Sequence, residues 1–289
     1  TYLSYNTVIE TALDEKLYLA FDILDYALVS APGAPLKQAL IDAGIGSEIT
    51  GGYDSGTLQP TCSVIAKNTN PQEKEHFLAV IRETLEGLVK NGLNKKSLLA
   101  GINSSEFRYR EADFGHFPKG LLYGIQCLDS WLYDDMRPFL HLEALDTYRF
   151  LKEQVETDYF EQLIQKYLLE NRHASVVIIE PEKGLNAKNE AALEKKLAEY
   201  KAGLSEDEIR KLIADTKHLK EYQETPSPRE DLEKIPMLAR SDMKKEAAPF
   251  YNTELSVKGV PVVHHDIYSN GIIYLTMLFD IAHIPAEDI

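Results

Sequence analysis

The chain has 289 residues, of which 44% are apolar and 27% charged, with a net charge of −15. That is enough apolar chain for one large domain with additions, and the charge disfavours nucleic acid and anionic lipid as partners. No stretch approaches the ~18 uninterrupted apolar residues of a membrane span, and the two cysteines, Cys62 and Cys127, fit neither metal-knuckle nor thioredoxin-like spacing. We therefore expect two unpaired thiols in a reducing, cytoplasmic setting.

Taken in order, Thr1 to Asn6 alternate as a short strand, and Ile9, Leu13, Leu17, Phe21, Leu24 and Leu28 predict one helix with an apolar stripe that ends at Ala31-Pro32-Gly33. Pro35 opens a second helix that Gly44 stops. Two strands around Glu48 to Tyr53 and Thr57 to Lys67 suggest an antiparallel pair. Asn70-Pro71-Gln72-Glu73 has the form of an N-cap with a glutamate three residues on, opening a helix that ends at Gly92. Further helices are predicted over Lys95 to Ala112, Lys119 to Tyr133, Leu142 to Leu151 and Asp158 to Glu170, then an apolar strand over Ala174 to Ile179. This order of elements is that of an α+β domain.

Beyond Pro181, charge-rich helices over Asn186 to Tyr200 and Ser205 to Tyr222 flank Gly203 as a hairpin, with Ser205-Glu206-Asp207-Glu208 as a capping box. Prolines at 226, 228 and 236 mark an extended connector, and Val260 to Val263 with Ile272 to Phe279 predict the opening strands of a second domain. The strand at Ile272 to Phe279 needs partners that we expect beyond Ile289 or in another chain. With Thr1 in place of a methionine, this makes an internal segment of a larger soluble protein the expectation.

The candidate chemistry is sparse. His264-His265, followed by Asp266, tempts a metal reading, but strand neighbours point to opposite faces. Glu73, Glu75 and His76 read as a solvated helix start. The glycines at 44, 46, 51, 52 and 56 match neither a dinucleotide fingerprint nor a phosphate loop, and Gly52-Tyr53-Asp54-Ser55-Gly56 has Asp where a nucleophile elbow needs Ser. Glu106 with Arg110 and Arg108 with Glu111 read as helix-supporting pairs, and Trp131 with Leu128 and Leu132 as core or interdomain packing.

Several longer stretches belong together: Ser30 to Ile41 with Gly44 to Gly46, Ser105-Glu106-Phe107-Arg108-Tyr109-Arg110-Glu111, Phe117-Pro118-Lys119-Gly120-Leu121, Lys166 to His173 and Ile179 to Glu182. Ile235 to Leu238 with Ser241-Asp242, His264 to Asp266, Ser269 to Leu275 and Phe279-Asp280 follow. In this order they resemble the presequence-protease branch of the insulinase-like (pitrilysin) zinc metallopeptidases. The resemblance implies an insulinase-like α+β half-domain, an antiparallel sheet covered by helices, over 1–184. It implies a helical hairpin linker over 185–224, an extended connector over 225–256 and a truncated third domain over 257–289.

It also implies a parent of two homologous halves enclosing a chamber that cuts short unstructured peptides, with the remaining domains of the same polypeptide as partners. In that family the zinc ligands, an inverted His-x-x-Glu-His motif and a distal glutamate, lie in the first domain. Nothing in residues 1–289 matches them, so the zinc of the parent is expected outside this chain and no catalytic, cofactor-binding or metal residue is assigned within it. The alternative is a scaffold or assembly subunit of the same fold without peptidase activity.

Overall fold

The computed structural model describes residues 1–247, 249 and 251–285; positions 248, 250 and 286–289 of the predicted connector and third domain lie outside the described residues. The chain forms two compact units. One comprises Thr1–Pro181 with the described residues from Tyr268 onward, the other Glu182–Ile267.

The first unit is built on a four-stranded antiparallel sheet of β1 (Tyr2–Val8), β2 (Glu48–Asp54), β3 (Thr61–Lys67) and β4 (Ala174–Ile179), in the order β2-β3-β1-β4. Its register places Leu3 between Ala66 and Ile178, and Ile49 opposite Ala66. Because side chains alternate across a strand, this sends Leu3, Ile49, Cys62, Val64 and Ala66 into the core, where all are buried. The helices α1 (Glu15–Asp25), α2 (Pro35–Asp42), α3 (Lys74–Asn91), α4 (Lys95–Glu111), α5 (Lys119–Trp131), α6 (Leu145–Gln154) and α7 (Tyr159–Ile164) complete the unit. Phe21, Phe77 and Phe160 bring rings of α1, α3 and α7 into the shared core at 0% exposure. This is the α+β half-domain that the sequence predicts.

Four local expectations need correction. The first helix starts at Glu15, not near Ile9, because Asp14 Oδ1 caps it by accepting from the backbone N–H of Lys16 and Leu17, both at 3.0 Å. Ile9 and Ala12 instead donate their N–H groups to Pro60 and Leu58 carbonyls, at 2.7 and 2.8 Å, so Ile9 is buried as a loop anchor. Asn70 makes no side-chain cap; Pro71–Glu73 form a 3₁₀ turn, and Glu73 Oε2 meets His76 Nδ1 at 3.1 Å. The predicted helix at 158–170 is α7 followed by a π-helical turn, Gln165–Leu169, closed by the Glu170 N–H to the Gln165 carbonyl at 3.0 Å.

The fourth concerns Ile272 to Phe279, which form no strand. No strand among the described residues pairs with them, and Ile273, Leu278 and Phe279 stand exposed. The segment is fastened at its start: Asn270 Nδ2 donates to the Arg110 carbonyl at the end of α4 (3.0 Å), and Tyr274 donates its hydroxyl to Glu111 Oε1 (2.9 Å).

In the second unit, α8 (Leu185–Ala202) and α9 (Glu206–Glu224) form the helical hairpin, and the capping box at Ser205 is present, with Ser205 N–H on Glu208 Oε2 at 2.8 Å and Glu208 N–H on Ser205 Oγ at 3.3 Å. After α10 (Arg229–Leu232), β5 (Asn252–Val257) and β6 (Val260–His265) form an antiparallel hairpin. Its turn residues Lys258 and Gly259 both have positive φ, as tight two-residue hairpins favour. β5 begins within the stretch predicted as connector and runs past position 256.

Candidate functional site

Two surfaces of the first unit carry organised polar chemistry. The first is the sheet face opposite the core. Along β1 and β3 it presents Ser4, Asn6, Ser63 and Ile65, half-buried among their own neighbours. Asn6 Oδ1 accepts from both Ser4 Oγ and Ser63 Oγ at 2.8 Å, which fixes a neutral polar row across the strands. At one edge Lys67 pairs with Glu48 at 2.8 Å; at the other, Val177 and Ile179 of β4 are exposed. Such a face can hydrogen-bond an extended chain without imposing a charge on it.

The second is a cleft of about 330 Å³ lined by α1 (Tyr18, Leu19, Asp22), the end of β2 and its turn (Tyr53, Ser55), α4 (Ser105, Arg108, Tyr109), α5 (Tyr123, Gln126), Phe114 and α6 (Tyr148). Helical spacing puts Tyr18 and Asp22 on one face of α1, and Ser105 and Tyr109 on one face of α4. Ser105 Oγ bonds Asp22 Oδ2 at 3.1 Å and the Tyr148 hydroxyl at 3.0 Å. Tyr109 donates to the Leu142 carbonyl at 2.6 Å, and Tyr18 to Asp129 Oδ2 at 2.8 Å.

Burial pushes the Tyr18 and Tyr53 hydroxyls far above the ordinary tyrosine range, and that of Tyr148 up to about 12, so all three stay neutral. Burial also raises the Asp129 carboxyl against the Tyr18 hydrogen bond, with the neighbouring Asp54 adding to the rise. Beside the cleft, His141 is 5% exposed and stacks on Tyr18 with ring centroids 3.7 Å apart. Its Nε2 has no partner among the described residues, and burial holds the imidazole down to about 4. Among the described residues no histidine contacts Ser105, whose hydroxyl is held between the Asp22 carboxylate and the Tyr148 hydroxyl, and burial lifts the Cys62 thiol to about 12, which keeps that thiol protonated. The cleft is thus an aromatic-lined space with a carboxylate at its centre.

The residues singled out from sequence fall elsewhere. His265 Nδ1 meets Asn252 Oδ1 across the hairpin at 2.6 Å, and its neighbour His264 lies opposite Thr253. Cys62 and Cys127 are both buried free thiols. Glu106 pairs with Arg110 at 2.7 Å and also with Lys152 at 2.5 Å. Burial works to raise the Glu106 carboxyl, but hydrogen bonds from Lys152 and Arg110 outweigh it and hold the group below the usual range.

The expected Arg108–Glu111 pair does not form among the described residues: Arg108 lines the cleft, and Glu111 receives Tyr274. Trp131 is 50% exposed, which removes it from the core of this unit; with Leu121, Ile125, Leu128 and Leu132 it forms an exposed apolar stripe on α5. Among the described residues no group of three or more His, Cys, Asp or Glu side chains could hold a metal ion. No step through zinc is therefore assigned to these residues.

Sequence reasoning missed Tyr18, Asp22, Ser105, Tyr148 and His141. The available signal was Tyr18 and Asp22, four apart on the helix that carries Leu17, Phe21 and Leu24.

Residues 179–289 match the family described as Peptidase M-16C associated. Protein HypA of Clostridium perfringens is 42% identical over 99% of this chain, and presequence protease 1, chloroplastic/mitochondrial, of Arabidopsis thaliana is 31% identical over 96%. The chain spans 29% and 26% of those relatives' own lengths. A crystal structure of a candidate zinc protease from Bordetella pertussis Tohama I superposes with a TM-score of 0.51 at 15% identity, covering 63% of this chain and 93% of that one, and shows a shared fold. The chain is thus similar along nearly its whole length to a presequence protease and to HypA, and residues 179–289 match the peptidase-associated family.

Proposed function

We propose that this chain is a non-catalytic wall and hinge segment of a larger zinc-dependent endopeptidase that degrades short unstructured peptides. The observation that carries the reading is the one-sided sheet. Its inner face is sealed by the phenylalanine-rich core, while its outer face offers the neutral Ser4–Asn6–Ser63 row beside the exposed edge strand β4. An extended peptide can be accommodated against such a face through backbone hydrogen bonds whatever its sequence. The relation to presequence proteases supplies the reaction class, and the zinc would be held by residues outside this chain.

The apolar stripe Leu121, Ile125, Leu128, Trp131 and Leu132 would be covered by other domains of the same polypeptide. The buried free thiols support a cytoplasmic location, and fractionation of the native protein tests it. Nucleic acid and membrane are not partners in this reading: the net charge is −15 and no described helix is long and apolar enough to cross a membrane.

The test is Ser4→Trp in the full-length protein, which fills the outer face of the sheet. Cleavage of an unstructured peptide should fall about tenfold while zinc content and the circular dichroism spectrum stay unchanged; cleavage at the parent rate rejects the wall reading. The alternative, a scaffold or assembly subunit, predicts a full-length protein that neither binds zinc nor cleaves.

A further inference from the structure

The cleft between α1, α4, α5 and α6 has a charge pattern that the wall reading does not use. Asp22 accepts only on Oδ2, from Ser105, and forms no ion pair among the described residues. Tyr18, Tyr53 and Tyr148 line the same cleft as this carboxylate, and Ser105 links it to the Tyr148 hydroxyl. Outside the lining, Asp129 accepts the Tyr18 hydroxyl at 2.8 Å, and Asp54 ends β2 next to the lining residue Ser55. Among the described residues no lysine lines the cleft, and Arg108 is the single cationic lining residue. At about 330 Å³ the space suits one long side chain, not a folded partner.

A cavity walled by neutral aromatic rings around an uncompensated carboxylate is the arrangement that recognises an organic cation. The ring faces attract it, and the carboxylate supplies the countercharge. Arg108 is exposed at the margin of the cleft and forms no ion pair with Asp22 among the described residues. We propose that this cleft binds the cationic side chain of an arginine or lysine residue in an extended peptide, with Asp22 as the charge partner and Tyr18, Tyr53 and Tyr123 as walls. The inference deepens the proposed function by naming a feature of the peptide, but its test needs no cleavage.

The 289-residue protein is titrated calorimetrically with acetyl-Gly-Arg-Gly-amide and with the citrulline analogue, which keeps shape and loses charge. The arginine peptide should bind saturably and at least tenfold more tightly than the citrulline peptide. Asp22→Asn, which keeps an acceptor for Ser105, should remove that preference. Tyr123→Ala should weaken binding severalfold, and it keeps the test open if D22N unfolds. Arg108→Gln should leave binding unchanged or tighten it; weaker binding would mean that the ligand's anionic end is what the cleft holds, and would overturn the proposal. Equal binding of the two peptides, or none, also overturns it. Such a failure, combined with slow cleavage by the full-length Ser4→Trp variant, would leave the wall reading standing alone.

Discussion

The unit Thr1–Pro181 and the unit Glu182–Ile267 use their apolar residues in opposite ways. In the first, Phe21, Phe77, Phe160 and Leu24 are wholly withdrawn from water, and the elements that carry them are distant in sequence. In the second, Leu193, Leu197, Ile213 and Leu219 are all more than half exposed, and no residue of α8 or α9 is buried. Its helices are held by local devices: the Ser205 capping box and i,i+4 pairs such as Glu206 with Arg210. Each such pair contributes only ~0.3–0.5 kcal/mol. A domain that encloses a core can stand alone, whereas a linker that leaves a groove of about 530 Å³ between Tyr200, Leu204, Ile213 and their neighbours keeps its apolar surface available.

The largest effect that could break this contrast is truncation in each unit. Phe160→Ala should lower the unfolding free energy of the first unit by ~3–5 kcal/mol, whereas Ile213→Ala, on an exposed face, should change it by less than ~0.5 kcal/mol. Urea denaturation followed by circular dichroism measures both, and equal losses would remove the contrast.

Next in size is the response to acid. The folded-state pKa of His141 lies below its ordinary value, so the neutral form is favoured by folding. Stability is therefore present above pH 6.5 and is lost as pH falls from 6.5 towards about 4. A fall of that size corresponds to roughly 3 kcal/mol. His141→Gln should flatten that part of the stability–pH curve. Asp25, whose carboxyl burial raises, works in the other direction, since its contribution is lost as pH rises from 3.8 through the raised value.

Smaller again is a comparison of adjacent glycines in β2. A Cβ on Gly51 would lie 2.7 Å from Asp25 Oδ1 and 2.8 Å from Val29 Cβ, while one on Gly52 meets nothing within 4 Å. Gly51→Ala should therefore cost ~1–3 kcal/mol in thermal unfolding, and Gly52→Ala close to nothing. The smallest effect falls in the hairpin, where Ser205→Ala should cost ~1 kcal/mol and show itself as faster amide exchange in the first turn of α9, leaving the first unit untouched.

The α+β order of elements was legible because most strands and helices here are patterned by burial that repeats every two or three to four residues. Legibility failed where a distant partner overrode local pattern. Ile9 looks like the first turn of a helix, yet the Pro60 carbonyl takes its N–H. Ile272 to Phe279 have a strand's composition but no described neighbour to pair with. Trp131, read as core or interdomain packing, is not in the core of this unit, which leaves the interdomain alternative open. The cleft was hidden for the same reason, since Tyr18, Ser105 and Tyr148 come together only when α1, α4 and α6 pack. By contrast the Ser205 capping box needs only four consecutive residues, and it formed as predicted.

The proposal to be tested is that this chain lends shape, not chemistry, to a larger zinc peptidase. The most direct test measures zinc content and peptide cleavage for the 289-residue chain beside the longer protein that contains it. The account predicts one equivalent of zinc and measurable cleavage in the longer protein, and neither in the chain alone. Stoichiometric zinc with cleavage by residues 1–289 would contradict it.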